Sequence, residues 1–319
     1  MAHSSEAFLN YDGITIALHT DGFTLHSSLQ ELENNQVGIK VIEAQGSYDG
    51  SVLYTPSDAP TISYSPDERS LNVSGPIELF DSARALSFLA GHLAGSLGAI
   101  KNRRLVIHAA AVYSPQNNAS SILLGEKGAG KTTLATRLCT EQGFELIGND
   151  QVYVGLNDED ELITTEGSTW IDIRETAAKA DPYIATLFQI AQRSDLPSWN
   201  NKSRLHPEDL GINTHAEESN VSSIFNVRLD KYQPKMYTAL WTGVQRNLIL
   251  HERVGRQITG QTTPFQDDLG NYLGSIPPIE LEKTLAVRDD IVRAIIKTEV
   301  TEVFGADSKE LAQFIAKVS

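Results

Sequence analysis

The run Gly125-Glu126-Lys127-Gly128-Ala129-Gly130-Lys131-Thr132-Thr133 constrains this chain more than any other stretch. It follows a short apolar segment, Ser120 to Leu124, and leads into a good helix opening, Thr133 to Leu138. Strand, glycine loop and helix in that order are the setting in which G-x-x-x-x-G-K-S/T wraps a polyphosphate, and every fixed position fits. Gly125, Gly128 and Gly130 let the backbone bend and bring N–H groups close to an anion. Lys131 adds a point charge for the β/γ-phosphate region, and the Thr132 hydroxyl suits Mg²⁺. The helix that starts there aims its N-terminal amides and the positive end of its dipole at the same spot. ATP and Mg²⁺ are therefore the expected ligands, with residues 125–133 as their cradle.

Composition narrows the partners. The 319 residues have room for two domains of ordinary size. A formal net charge of −15 argues against nucleic acid, whose phosphates would be repelled. Lys101, Arg103 and Arg104 form one small basic cluster, which reads as a solvated loop before a strand. Cys139 is the single cysteine, so neither an internal disulfide nor a Cys-rich metal site can form, and on the helix after the loop it reads as a small buried hydrophobe. The first residues lack the basic region and apolar core of a signal peptide. The stretch Leu79 to Ile100 contains Asp81, Arg84 and His92, which makes it amphipathic rather than membrane-spanning. A cytoplasmic protein with no membrane partner is the expectation.

Along the chain, residues 8 to about 75 alternate in short bursts. Ile14–Leu18, Val37–Ile42, Ser51–Tyr54 and Thr61–Tyr64 read as strands separated by Gly, Asp, Asn and Pro. His19 and His26 within them read as surface or packing residues. Leu79, Ala83, Leu86, Ala90, Leu93 and Leu97 recur at helical spacing, with Asp81 or Ser82 as the cap, and this helix is read as the connection between two domains. The expected division is 1–99, a small β-rich domain with its connecting helix, and 100–319, the nucleotide-binding domain. In the latter, Leu105–Val112 reads as one strand, then a polar turn, then the strand entering the glycine loop, an arrangement that suggests a mixed sheet. Glu145–Val154 reads as a strand interrupted by a polar turn, and Asn157–Glu161 as a solvated hairpin tip. Residues 181 to 220, with Pro182, Pro197 and Pro207, read as an irregular segment of the kind that borders active sites. Val221–Leu229 and Tyr237–Trp241 return to strand, while Glu280–Val300 and Lys309–Lys317 read as helices.

Three segments taken together resemble the HPr kinase/phosphorylase family, more closely its diverged kinase-like relatives. They are His108-Ala-Ala-Ala-Val112, the glycine loop Leu124–Thr133, and Leu146-Ile-Gly-Asn-Asp150. The order His, loop, acid and its spacing carry the resemblance over roughly residues 100 to 175. It implies an α/β fold, a P-loop kinase core with a mixed sheet similar to phosphoenolpyruvate carboxykinase, preceded by the small β-rich domain. It implies an ATP-dependent kinase that transfers the γ-phosphoryl group to a hydroxyl of a small molecule or of a Ser or Thr in a peptide or protein. The family often assembles as hexamers, so the resemblance also implies a homo-oligomer. Asp150 falls on the second of the family's paired acids, as base or orienter and metal ligand, and Asn149 replaces the first, which puts the reverse phosphorylase activity in doubt. Trp170-Ile-Asp-Ile-Arg174 echoes a family stretch whose acid assists the metal, which gives Asp172 that part. The catalytic set implied is therefore Asp150, His108 and Lys131, and the metal set Thr132, Asp150 and Asp172.

Other readings are weighed by residue. Arg246 and Arg253 are candidate phosphate clamps that read better as surface ion pairs, and Trp170, Trp199 and Trp241 are candidate adenine stackers that read better as packing. A regulatory nucleotide-binding module with little turnover is the alternative, favoured by Asn149. A switch GTPase lacks its Asn-Lys-x-Asp motif, and Asp267 to Gly270 comes too late in the chain to serve.

Overall fold

The computed structural model describes residues 4–22, 39–43, 46–80, 83–190, 202–255, 264–266 and 272–319. His26, Asp81, Ser82, Pro197, Trp199 and Asp267–Gly270 lie outside the described residues. The fold is mixed α/β, and among the described residues no helix is long and apolar enough to cross a membrane. Contacts divide the chain into two compact units, Met1–Val106 with His251–Asp290, and Ile107–Leu250 with Ile291–Ser319. A single division at residue 99 therefore does not describe it, because the chain returns to the first unit late in the sequence.

The first unit is built on strands β1 (Ser4–Tyr11), β2 (Ile14–Asp21), β3 (Ile39–Ile42), β4 (Gly50–Pro56), β5 (Thr61–Ser65) and β6 (Ser70–Gly75). They form one sheet in the order β3-β1-β2-β4-β6-β5, antiparallel except where β4 runs parallel to β2 and β6. A short helix, α1 (Ile77–Phe80), precedes α2 (Ala83–Asn102). The α2 helix does more than connect. Leu86, Leu89, Ala90, Leu93, Ala94 and Leu97 fall on one stripe and are buried in the same core as Leu9, Ile16, Leu18 and Val52. The Tyr11 hydroxyl donates to the Ser87 carbonyl at 2.9 Å, and Tyr54 donates to Gly75 at 2.7 Å. Ile276 and Ile279 complete this core, and Tyr64 donates to Glu280 at 3.4 Å, which explains why the late segment belongs here. Burial, with the Glu280 charge beside it, pushes the Tyr64 phenol up to about 12. Lys101 and Arg104 are ion-paired to Asp49 and Asp12 within this unit. His19 pairs with Glu6.

After β7 (Arg104–Ile107) come β8 (Ala110–Ser114), β9 (Ala119–Leu124), α3 (Lys131–Gln142), β10 (Glu145–Asn149), β11 (Val152–Leu156), β12 (Leu162–Gly167) and β13 (Ile171–Arg174). Then follow α4 (Glu175–Ala180), α5 (Pro182–Ile190), β14 (Lys202–Leu205), β15 (Ser219–Leu229), β16 (Tyr237–Leu240) and α6 (Gly243–Gly255). A small antiparallel pair, β17 (Pro264–Gln266) and β18 (Tyr272–Ser275), precedes α7 (Leu281–Lys297), β19 (Val300–Gly305) and α8 (Ser308–Val318). The segment after 181, read as irregular, holds α5, β14 and a 3₁₀ turn at Pro207–Leu210. The helix read to Val300 stops at Lys297, because Val300 opens a strand paired to Ile224.

In the second unit β15 is the spine. It runs parallel to β9 on one side and to β19 on the other, while β8, β10, β12 and β16 add antiparallel neighbours. Leu134, Ala135, Leu138 and Cys139 of α3 pack with Leu123, Phe225, Val303 and Leu311 in its core. Burial pushes the Cys139 thiol up to about 12, with the Glu145 charge adding to the effect, so it behaves as an inert small hydrophobe. Arg137 ties α3 to α8 by donating to Ser308 at 2.7 Å, and Ser308 donates onward to Asp181 at 2.6 Å.

One buried group makes stability pH-dependent. The Nε2 of His92, on α2, is buried without a hydrogen-bond partner among the described residues, and burial pushes the imidazole down to about 4. The folded protein therefore keeps His92 neutral while the unfolded chain takes up the proton near its ordinary pKa. The stability associated with the neutral ring is complete above about pH 6.5 and is lost as pH falls toward 4, at about 1.4 kcal/mol per unit at most. Denaturant unfolding at pH 7 and pH 4.5 will show wild type losing at least about 1 kcal/mol more than His92→Leu over that interval.

Candidate functional site

The glycine loop leaves the C-terminal end of β9 and turns into α3. Its shape depends on close approach. A Cβ on Gly125 would sit 2.8 Å from the Val227 carbonyl and 2.9 Å from the Ala129 Cβ. Gly130 has φ +95°, and a Cβ there would lie 2.5 Å from Leu229 Cδ1. The loop docks on the end of β15, where the Leu229 N–H donates to the Ala129 carbonyl at 2.8 Å. Glu126 and Lys127 are exposed, Thr133 is buried, and Gly130 caps α3 through backbone alone. The first amides of a 12-residue helix thus sit beside the loop without a side-chain cap, an arrangement suited to an anion.

Lys131 folds into this loop. Its Nζ lies 2.9 Å from the Gly125 carbonyl, 3.1 Å from the Glu126 carbonyl and 3.0 Å from His108 Nε2, with the residue only 6% exposed. An ammonium donates only, so His108 Nε2 is the acceptor and the imidazole proton resides on Nδ1. That Nδ1 lies 3.0 Å from the Asp150 carbonyl and 3.1 Å from Asp150 Oδ1. Asp150, His108 and Lys131 therefore form one chain of contacts. The expected strand Leu105–Val112 breaks to permit this. Residues 108 and 109 fall between β7 and β8, and the ring leaves the strand register to meet both partners. Asp150 follows β10 with φ +77°, a left-handed turn that leaves its side chain 67% exposed toward solvent.

Asn149 proves to be a connector. It is 2% exposed. Its Oδ1 accepts from the Thr132 hydroxyl at 2.9 Å, its Nδ2 donates to the Trp170 carbonyl at 3.0 Å, and its backbone N–H donates to Ser168. The Thr132 proton being committed to Asn149, the hydroxyl's lone pairs remain the face available to a hard cation. Asp172 lies on the ribbon that β13 forms with β14, where Arg204 holds it through Nε at 2.8 Å and Nη2 at 3.1 Å. Trp170 lies under the Arg204 guanidinium, 5.0 Å away, and beside the His206 ring at 4.0 Å. Sequence reading missed Arg204 and His206 altogether. The alternation in Lys202–Leu205 was a usable signal, but four residues within a Pro-punctuated stretch were too short to show it. Arg246 donates to the Trp241 carbonyl, and Arg253 belongs to the first unit. Among the described residues no group of three or more His, Cys, Asp or Glu side chains is arranged to hold a metal by itself.

Comparison with models of known protein families found no match, and comparison with curated proteins found none either.

The geometry at Gly130 gives a stability test. An alanine there carries about 1–2 kcal/mol of left-handed backbone strain and about 1–3 kcal/mol of crowding against Leu229. Urea unfolding of Gly130→Ala will show a loss of about 2–5 kcal/mol. Removing the obstruction with Leu229→Ala in the same chain will recover the crowding part but not the strain, so the two effects will fail to add.

Proposed function

We propose that this chain is an ATP-dependent phosphotransferase with a P-loop kinase core, acting on a hydroxyl acceptor. The observation that carries the reading is the convergence of Lys131, His108, Asp150 and, through Asn149, Thr132 on the mouth of one glycine loop. The resemblance to the HPr kinase/phosphorylase family, seen in the same residues, agrees with it.

The residues present fit the ligands. Gly125 and Gly130 let the loop close against the end of β15, where a Cβ would strike Val227 or Leu229, and the loop amides suit phosphate oxygens. Lys131 exchanges two loop carbonyls and His108 for phosphate oxygens when a nucleotide enters. Thr132 offers its oxygen to Mg²⁺, which supplies charge neutralisation on the β- and γ-phosphates when bound. Asp150 faces the acceptor. The acceptor oxygen bonds to the γ-phosphorus, the bond to the β,γ-bridging oxygen breaks, ADP leaves, and the acceptor proton passes to the Asp150 carboxylate. His108 orients that carboxylate through Nδ1–H, and the exposure of Asp150 leaves room for the acceptor to approach.

A regulatory nucleotide binder is the second reading. Two observations favour it: an amide stands at 149, and Arg204 engages the Asp172 carboxylate that the resemblance assigns to the metal.

Label transfer separates the two. With γ-labelled ATP, Mg²⁺ and a mixture of hydroxyl acceptors, wild type will give acceptor-dependent transfer. Asp150→Asn will lose at least about 100-fold of it while retaining ATP affinity. Lys131→Ala will weaken ATP binding by about 10- to 100-fold, since a charge-assisted contact is lost. ATP binding with no transfer to any acceptor establishes the regulatory reading, and ATP affinity unchanged in Lys131→Ala refutes both.

A further inference from the structure

We propose that the outward face of the β13–β14 ribbon is the acceptor side of this site, and that Arg204 grips an anionic group, a carboxylate or a phosphate, on the hydroxyl compound that receives the phosphoryl group. The inference rests on the phosphotransferase reading above.

The ribbon is two-faced. Ile171, Ile173 and Leu205 point into the core of the second unit and are buried. The register pairs Asp172 with Arg204 and Arg174 with Lys202, and its continuation sets Trp170 opposite His206. Side chains alternate along a strand, so Trp170, Asp172, Arg204 and His206 share the other face. A ribbon made only for packing needs the apolar face alone. Here the outer face carries an indole that meets both a guanidinium and an imidazole, with Arg204 held in one orientation by both oxygens of Asp172.

Its position selects the ligand end. The Trp170 carbonyl holds Asn149, and Asn149 holds Thr132. Thr132 stands at the terminal-phosphate end of the proposed nucleotide site, where Asp150 is also found. A hydroxyl that attacks the last phosphorus must arrive from that end, and the ribbon flanks it. Its charge selects the chemistry. On this face Arg174 and Arg204 outnumber Asp172, in a chain whose net charge is −15. An anion would be repelled by the protein at large, so a local reversal of sign beside the site marks where one is received. Arginine suits the task because its planar fork matches carboxylate and phosphate oxygens. Asp172 accepts from Nε and Nη2 and so fixes the plane of the guanidinium. Asp172 is, on this view, the anchor of the acceptor-binding arginine rather than a metal ligand.

The experiment uses the full chain with Trp199→Phe and Trp241→Phe, so that emission reports Trp170 alone. The probes are glycerol 3-phosphate, glycerate and glycerol, alike in hydroxyl chemistry and different in charge. Both anions will change Trp170 emission saturably, and glycerol will not. Arg204→Gln will weaken that response by about 10- to 100-fold, as expected for loss of hydrogen bonds to a charged group, and Arg204→Lys will recover part of it. A fluorescent ATP analogue will bind every variant alike. Given ATP and Mg²⁺, transfer will favour the anionic probes, and the Arg204→Gln defect will appear in acceptor KM rather than kcat. A response to glycerol equal to that of the anions overturns the assignment. So does an anion response unmoved by Arg204→Gln, or the absence of any anion response in protein that binds the ATP analogue. If the analogue does not bind but the anion response stands, the phosphotransferase reading fails while the ribbon remains an anion site.

Discussion

The buried amide of Asn149 fixes the relation between the glycine loop and everything that surrounds its mouth. It accepts from Thr132 in the first turn of α3 and donates to the Trp170 carbonyl at the start of the ribbon. A buried amide left unsatisfied is costly, so its two bonds hold both neighbours in place. The backbone at this point admits nothing larger. A Cβ on Gly148 would lie 2.7 Å from Gly167 Cα and 2.9 Å from the Gln151 carbonyl. β10 therefore ends in one way only, with Asn149 turned inward and Asp150, in its left-handed conformation, turned outward.

That inward and outward pair gives positions 149 and 150 different work. A carboxylate at 149 would bring a second charge beside Thr132, whereas the amide serves as a neutral clamp with one donor group and one acceptor. Charge among these groups is left to Asp150 and Lys131. Lys131 is satisfied by two carbonyls and an imidazole, so it is a held group rather than a dangling one. Under the proposed reading this keeps a buried ammonium compensated until phosphate oxygens replace its neighbours, which is the condition for burying a charge at all.

How much could be read in advance follows the range of the interactions. The loop, its flanking strand and its helix were legible because they are local: glycines at fixed spacing, an apolar run before, a helix opening after. The hairpin tip at Asn157–Glu161 was legible for the same reason, and the Asn157 side chain accepts from the backbone N–H groups of Glu159 and Glu161. The helical stripe Leu86–Leu97 was legible as a helix but not as core, since periodicity gives a buried face and does not say which sheet buries it. The break at His108 was hidden, because Leu105–Val112 is apolar and unbroken in composition; contacts with Lys131 and Asp150, 23 and 42 residues away, accompany the interruption. The cross-strand pairing of Asp172 with Arg204, 32 residues apart, was hidden likewise.

The sequence by itself determined that a glycine loop would join a strand to a helix, that an acid would follow some twenty residues later, and that Cys139 would be an unreactive filler. Those outcomes depend on residue type and spacing within one or two turns of chain, where propensity and sterics decide. Only the tertiary structure decided that Asn149 is a clamp, that Asp172 belongs to an arginine, and that residues 251–290 return to the first unit. Those depend on which surfaces meet once the sheet has formed, and a pairing across tens of residues leaves no periodic mark on the chain that makes it.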